Sequence, residues 1–513
     1  MSSAALQLGA ASVGGWSARE RASAARSARL SRRLIASLRR RIAAGEDPLG
    51  EVFSRLRSRV QRRLLGATYT PPPIVAAMVA WARAQQTPER VVDPGAGSAR
   101  FLVQAGAAFP RAALLGVEID PLAAAIARAN LAVAGYADRS RIVVADYREV
   151  TLRSAERTLF IGNPPYVRHH LIARKWKRWL ATRATELGLT ASGLAGLHVH
   201  FLLATALAAR DGDCAAFVTS AEWLDINYGR LARQLFLGRL GGQALVIIEP
   251  TGVPFPDAAT TAAISLFRIG SRSRGIRVSR VGQLGELNPC SGQTVARDRF
   301  STETRWSRVT RAGRARPEGF VELGELCRVH RGQVTGSNGV WIAGAHSSEL
   351  PRRMLFRCVT KARELFAAGR VLEDPSRLRF VVDLPEDLGQ LAAAERRAVS
   401  RFLRAAKRAG AHATYIARHR RAWWSVGLRA PAPILATYMA RRAPAFTRNT
   451  AGARHLNIAH GLYPREPLSE PQLLALVDFL ATGISVADGR TYAYGLTKFE
   501  PREMERLWVP APR

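Results

Sequence analysis

Val91-Val92-Asp93-Pro94-Gly95-Ala96-Gly97-Ser98-Ala99-Arg100-Phe101 is the stretch on which the fold turns. Two branched apolar residues and an acid read as the end of a buried strand, and Pro94 stops it. Glycines at 95 and 97 admit positive φ angles and let the backbone approach a ligand closely. Residues 100–108 then read as a helix. A Gly-rich turn alone is weak testimony, since many strand-to-helix turns carry two glycines, so its meaning depends on its surroundings.

On either side, short apolar runs alternate with helical stretches. Strands are predicted at 91–93, 114–119, 142–145, 159–162, 215–219, 245–249 and 262–268. Helices are predicted at 74–84, 100–108, 122–134, 197–209 and 230–237. This alternation predicts an α/β fold: a mainly parallel, doubly wound, Rossmann-like sheet with helices on both faces. Such sheets bind ligands outside the carboxyl ends of their strands. The chemistry-bearing residues fall there. The second strand ends in Glu118-Ile119, with Asp120 after it, and Asp146 follows the third. An acid at the second strand end suits ribose hydroxyls; Asp120, before Pro121, suits a helix cap. No GxGxxG pyrophosphate fingerprint is present, because its last position holds Arg100. An acid-lined pocket suits a cationic methionine sulfonium carrying adenosine, which makes S-adenosylmethionine the expected cofactor.

The fourth strand ends Ile161-Gly162-Asn163-Pro164-Pro165-Tyr166. The prolines stop the strand and present stiff carbonyls. The Asn163 amide oxygen and a proline carbonyl can accept both hydrogens of an amino group. An exocyclic aromatic amine is a poor nucleophile, and two acceptors draw its lone pair toward a methyl donor. Tyr166 can stack on a base.

In these residues the chain resembles the gamma-class, TaqI-like adenine DNA methyltransferases. The order is that family's: a Thr-Pro-Pro segment (Thr70 with Pro71–Pro73, after Tyr69), the Gly-rich loop, the acidic strand end, an Asp, then N-P-P-Y. The resemblance implies that Thr70 touches the methionine part of the cofactor and that Asp93, Gly95 and Gly97 form its loop. It implies that Glu118 holds the ribose, Ile119 lines the adenine and Asp146 binds the adenine amino group. Asn163, Pro164, Pro165 and Tyr166 would hold the target base, and Phe255, in Pro254-Phe255-Pro256-Asp257-Ala258, would stack on its other face. Val218-Thr219-Ser220-Ala221-Glu222-Trp223-Leu224 resembles the family's pocket-shaping segment. Gly332-Gln333-Val334-Thr335-Gly336-Ser337-Asn338 and Tyr494-Gly495-Leu496-Thr497-Lys498-Phe499 resemble, more loosely, its recognition-domain signatures. The family usually has another small residue where Gly95 stands, and its compact members lack residues 1–65.

The expected organisation is a basic helical extension at 1–65, a methyltransferase domain at 66–272 and a mixed α+β target recognition domain at 273–513. The extension shows Leu30, Leu34, Ile35 and Leu38 on one helical face. Its Arg- and Ser-rich composition superficially matches a transit peptide, but that composition continues along the chain. A formal net charge of +36 favours a polyanionic partner, double-stranded DNA by the resemblance. A GC-rich genome explains the choice of Arg over Lys but not the shortage of acid. No apolar run reaches the roughly 18 residues of a spanning helix, so no membrane partner is expected. Four scattered cysteines without a CxxC pair speak against disulfides or zinc and for a reducing interior. The expected setting is the bacterial cytoplasm, for a monomer acting in a restriction–modification or related system, with a separate endonuclease as a candidate companion.

Other signals carry less. Pro289-Cys290 matches the nucleophile of enzymes that methylate a cytosine ring carbon, but it falls beyond the catalytic strands, and amino methylation needs no covalent intermediate. His169-His170 and His198-x-His200 have no acid or Cys at ligand spacing, so no metal is expected. The Arg418–Trp424 stretch, with Trp423, suits either nucleic-acid contact or half-buried packing. Alternatives to a DNA enzyme are an RNA adenine or protein-glutamine methyltransferase and a non-catalytic nucleic-acid-binding relative. The Arg- and Trp-rich second half argues against the glutamine enzyme, and the intact acids against the last.

Overall fold

A computed structural model describes residues 1–24, 28–56, 70–152, 156–248, 261–310, 317–440, 442–484, 490–492 and 496–511. Phe255 with the whole 254–258 segment, Tyr69, Tyr494, Gly495, residues 57–65 and Glu249 lie outside the described residues. Two compact units are formed, one within Met1–Ala312 and one within Gly313–Tyr492 and Leu496–Arg513.

The first unit is built on nine strands: β1 (Arg90–Asp93), β2 (Ala113–Glu118), β3 (Ser140–Val144), β4 (Thr158–Gly162), β5 (Cys214–Ser220), β6 (Gly242–Ile248), β7 (Ala262–Arg268), β8 (Gly275–Val281) and β9 (Gln293–Ala296). Their order across the sheet is β3-β2-β1-β4-β5-β7-β6-β8-β9. β1 to β5 are parallel, and β7 runs antiparallel to both β5 and β6. All seven predicted strands are present, and the sheet continues past residue 272 into β8 and β9.

Because successive strand side chains face opposite ways, each apolar run feeds two cores. Phe160 joins Phe217 and Phe267 on one face, whereas Leu159 and Ile161 join Val91 and Val218 on the other. Helices cover both faces: α1 (Ser2–Gln7), α2 (Ala18–Ala24), α3 (Arg32–Ala43), α4 (Pro48–Leu56), α5 (Pro72–Gln85), α6 (Arg100–Ala108), α7 (Pro121–Val133), α8 (Arg174–Thr185), α9 (Leu197–Ala208) and α10 (Arg230–Leu237). The strand order reverses between β1 and β4, and this switch point is where a doubly wound sheet offers a crevice.

The N-terminal residues, read from sequence as a basic helical extension, pack against α7. Ala5 and Leu8 meet Ile126 and Ala129, while Leu30, Ile35 and Leu38 turn toward the same cluster. Leu34 does not; it is exposed. Gly14 bridges to Arg141 on the edge strand β3, which shields backbone groups that would otherwise be open to another chain. Glu20 pairs with the buried Arg128 at 2.6 Å, and Arg128 also lies over the Trp16 ring. Arg128 Nη2 also donates to the Gly15 and Ile142 carbonyls, while its buried Nε has no hydrogen-bond partner among the described residues. This buried pair and the two carbonyl bonds link the layer to the sheet.

The second unit is mixed α+β. A five-stranded sheet, led by Cys327–Arg331, Ala459–Pro464 and Ile434–Thr437, packs against the helix Glu470–Gly483. A three-stranded sheet around Leu355–Val359 packs with the helix Ala393–Arg408. Among the described residues no helix is long and apolar enough to cross a membrane.

Candidate active site

The ends of β1 to β4 meet at a cavity of about 230 Å³. Asp93 lies beneath it, fully buried, accepting the Gly95 N–H at 3.1 Å. Burial lifts its carboxyl to about 8; the Gly95 bond opposes the rise and the nearby Glu118 charge adds to it. Gly97 takes φ +52°, which turns its N–H onto Glu118 Oε2 at 2.8 Å. Glu118 Oε1 accepts the Asp120 N–H at 2.8 Å. Burial pushes the Glu118 carboxyl above its ordinary range despite those bonds. Asp120 caps α7 through the Leu122 and Ala123 N–H groups, as a residue before a proline at the first helical turn should.

Asp146 faces the cavity in a two-point pair with Arg148, at 2.8 Å (Nε to Oδ1) and 2.5 Å (Nη2 to Oδ2). Burial alone would raise its pKa, but the guanidinium outweighs burial and holds it below the ordinary value. Arg148 in turn lies 3.7 Å over the Trp176 ring of α8. Asn163 Nδ2 donates to Thr70 Oγ1 at 3.0 Å, joining β4 to the segment before α5.

Of the residues expected at the site, Thr70, Gly95, Gly97, Glu118, Ile119, Asp146, Asn163 and Pro165 share this cavity. Ile119 is 56% exposed, an apolar side chain left open at its wall. Pro164 is buried beside it, and Tyr166 sends its hydroxyl to the Val218 carbonyl on β5 at 3.4 Å. Neither lines the cavity.

Sequence reasoning missed the contribution of α4. Gly50, Phe53 and Ser54 line the same cavity. Asp47, at the start of that helix, accepts the Gly50 N–H at 2.9 Å and Asn130 Nδ2 at 3.1 Å on Oδ1. Its Oδ2 accepts Arg100 Nε at 3.0 Å and the Ser98 hydroxyl. Asp-Pro is a visible helix-start signal, but nothing local announces partners on α6 and α7.

The remaining candidates resolve simply. His198 and His200 are buried, which lowers them to about 4 and about 3 and keeps them neutral. Among the described residues no group of three or more His, Cys, Asp or Glu could hold a metal. Cys290 is exposed and outside the cavity. Trp423 packs edge-on against Trp341, and Trp424 Nε1 donates to the Pro385 carbonyl at 3.1 Å. Arg420 braces the 332–338 loop through the Val334 and Thr335 carbonyls. These three side chains are core and loop scaffolding, whereas Arg418, His419 and Arg421 of the same stretch are exposed.

This sheet, with an acid-lined cavity at its switch point, defines a class I, Rossmann-like methyltransferase. Residues 46–212 match the family described as N-6 DNA Methylase, and residues 312–513 match the C-terminal domain of Type II methyltransferase M.Eco57I. Type II methyltransferase M.XamI of Xanthomonas campestris pv. amaranthicola is 53% identical over 94% of this chain and 92% of its own length. Type II methyltransferase M.AccI of Acinetobacter calcoaceticus is 22% identical over 88% and 87% respectively. The solved type IIG restriction endonuclease BpuSI shares the fold, with a TM-score of 0.51 at 15% identity; the match covers 94% of this chain and 63% of that one. The chain belongs to the N6-adenine DNA methyltransferase family and is a methyltransferase of the restriction–modification type.

Proposed function

We propose that the cavity binds S-adenosylmethionine and that Asn163-Pro164-Pro165-Tyr166 holds an adenine turned out of double-stranded DNA. The observation that supports this most is the convergence of Gly97, Glu118, Asp146 and Asn163, from four successive strand ends, on one cavity. The residues fit the cofactor chemically. Two carboxylates suit its hydroxyl and amino donors and its net positive charge, while Ile119 and Phe53 offer apolar surface for an adenine ring. Gly97, with open space where a Cβ would stand, lets a ligand lie against the backbone.

When bound, S-adenosylmethionine supplies a methyl group on a cationic sulfonium. The protein's part is positioning. The adenine must leave the base stack to reach the site. Asn163 Oδ1 and the Pro164 carbonyl accept the two amino hydrogens, which turns the nitrogen lone pair toward the cavity. Tyr166 stacks on the base, its hydroxyl anchored on β5, and Phe255 is assigned the opposite face on family resemblance alone. The second unit is the proposed target recognition domain. The enzyme acts as a monomer in the bacterial cytoplasm, on the nucleoid, with its cognate endonuclease on a separate chain. Asn163→Ala should abolish methyl transfer to DNA while calorimetric binding of S-adenosylhomocysteine persists; near-normal transfer by that variant would overturn the assignment.

A further inference from the structure

The strands Cys327–Arg331 and Ala459–Pro464 of the second unit run antiparallel, with Arg328 directly opposite Tyr463. Alternation along each strand sends Cys327, Val329 and Leu462 into the core and leaves Arg328, His330 and Tyr463 on the other face. There, together with Arg429 and Arg465, they line an open depression of about 620 Å³. We infer that this depression is a phosphate subsite, in which Arg328, Arg429 and Arg465 hold a backbone phosphodiester of duplex DNA whatever the base sequence. The inference rests on the proposal that the chain acts on double-stranded DNA, and adds a place where the backbone is gripped.

No acid lines the depression, and among the described residues none of its three arginines has a carboxylate partner. The same unit does pair arginines elsewhere, as in Arg353–Glu395, Arg401–Glu349 and Arg448–Glu470. A surplus of arginine is general in this chain, so an unpaired guanidinium alone means little; three of them around one concavity form a site. Like charges gathered in this way repel, and an anion between them removes the repulsion. Their field is felt at His330, whose imidazole is held below its ordinary value by burial first and then by Arg429 and Arg328, against the opposing charge of Glu505.

The site is also set in advance. The Tyr463 hydroxyl donates to the Ala430 carbonyl at 2.8 Å, and Asp383 accepts the Gly427 and Leu428 N–H groups at 2.8 Å each. The backbone is therefore anchored on both sides of Arg429. Arg465 Nε donates to the Gly324 carbonyl at 2.7 Å, which leaves its Nη groups for a ligand. Planar guanidinium forks match phosphate oxygens. An open depression suits one phosphate of a continuous strand better than a small molecule, which a pocket must enclose. Such a contact orients the duplex without reading its bases.

Arg328→Gln with Arg429→Gln removes two charges whose side chains make no hydrogen bond among the described residues. With the full chain and a fluorescent duplex of arbitrary sequence, anisotropy titrations over a range of salt give the slope of log K against log salt. The double variant should lose about one unit of that slope, the contribution of one neutralised phosphate. Arg328→Lys with Arg429→Lys retains the charges and should retain the slope. Arg404→Gln with Lys407→Gln takes two exposed charges from the helix Ala393–Arg408 and should leave the slope as in wild type. A wild-type slope for the Arg328 and Arg429 glutamine pair overturns the inference; so does an equal loss in the helix pair, which would trace the effect to net charge. Arg429→Gln alone is read in the same way if the pair does not fold. If the wild-type chain binds no duplex, the proposal of a DNA substrate fails first; if it binds and the glutamine pair keeps its slope, only this inference falls.

Discussion

Asp47 accepts the Arg100 Nε–H at 3.0 Å, so the first turn of an N-terminal helix and the first residue of α6 are joined by one carboxylate. The same carboxylate reaches Ser98 in the Gly-rich loop and Asn130 on α7. Four elements that surround the cavity therefore share one anion, and the N-terminal layer is a structural component of the site rather than an accessory to it.

Asp47→Ala should consequently act at a distance. It removes the carboxylate paired with Arg100, whose side chain is 17% exposed and which keeps its bond to the Thr70 carbonyl. Breaking such a mostly buried pair costs about 3 kcal/mol, which urea denaturation would show. The loosened 97–100 turn should also weaken S-adenosylhomocysteine binding, read by calorimetry. Unchanged affinity in a folded variant would limit Asp47 to a stabilising role.

Asp93 predicts a pH dependence. Burial first, then the Glu118 charge, raise its pKa to about 8 from an ordinary value near 4. The folded state therefore holds a proton that the unfolded chain releases. Its stabilising contribution is fully present below the unfolded pKa and is lost as pH rises through about 8. Between pH 5 and pH 8 the wild-type Tm should fall relative to that of Asp93→Asn, whose amide cannot titrate. Parallel Tm profiles for the two proteins would show that Asp93 ionises normally. Bound cationic cofactor should favour the ionised form, so S-adenosylmethionine binding near pH 6 should release more protons than S-adenosylhomocysteine binding does.

Much of this site is legible in sequence because a doubly wound sheet gathers its strand ends. Asp93, Glu118, Asp146 and Asn163 each follow an apolar run, and the fold alone places them together. Asp47 gives no such warning. Its partners Ser98, Arg100 and Asn130 lie 51, 53 and 83 positions away, on surfaces that adjoin only after folding. Glu20 and Arg128, 108 positions apart, look in sequence like two more charges on solvated helices. The 3.6-residue pattern does reveal that Leu30, Ile35 and Leu38 seek a core, but not that the core is α7. The Trp423 ambiguity is of the same kind: composition cannot separate a base-stacking ring from one packed on Trp341.

Arg148 is expected to govern Asp146. Burial would raise that carboxyl, yet the guanidinium's hydrogen bonds and charge bring it below its ordinary value. A depressed carboxylate stabilises the fold above its unfolded pKa, and the contribution is lost as pH falls through the folded pKa. Arg148→Met should therefore be most destabilising near neutral pH, by about 3 kcal/mol. The difference from wild type should shrink as pH falls below about 4 and Asp146 takes a proton. A pH-independent difference would trace the loss to the Trp176 contact alone.

Gly162 explains why the strand before Asn163 ends without a side chain. A Cβ there would stand 2.6 Å from Asp93 Oδ1 and 3.4 Å from Pro94 Cδ, with the carboxylate already fixed by the Gly95 N–H. Gly162→Ala should cost about 1–3 kcal/mol as an overpacked core site. Because the crowded groups are Asp93 and Pro94 at the base of the Gly-rich loop, and Asn163 follows Gly162 directly in the chain, cofactor affinity and transfer rate should fall together. Alanine in a strand is otherwise unobjectionable, so the clash can be isolated. In an Asp93→Ala background the space is open, and adding Gly162→Ala should then cost little. A double-mutant cycle in urea would read that coupling. Equal costs of Gly162→Ala in both backgrounds would mean that the backbone, not the carboxylate, demands glycine at this position.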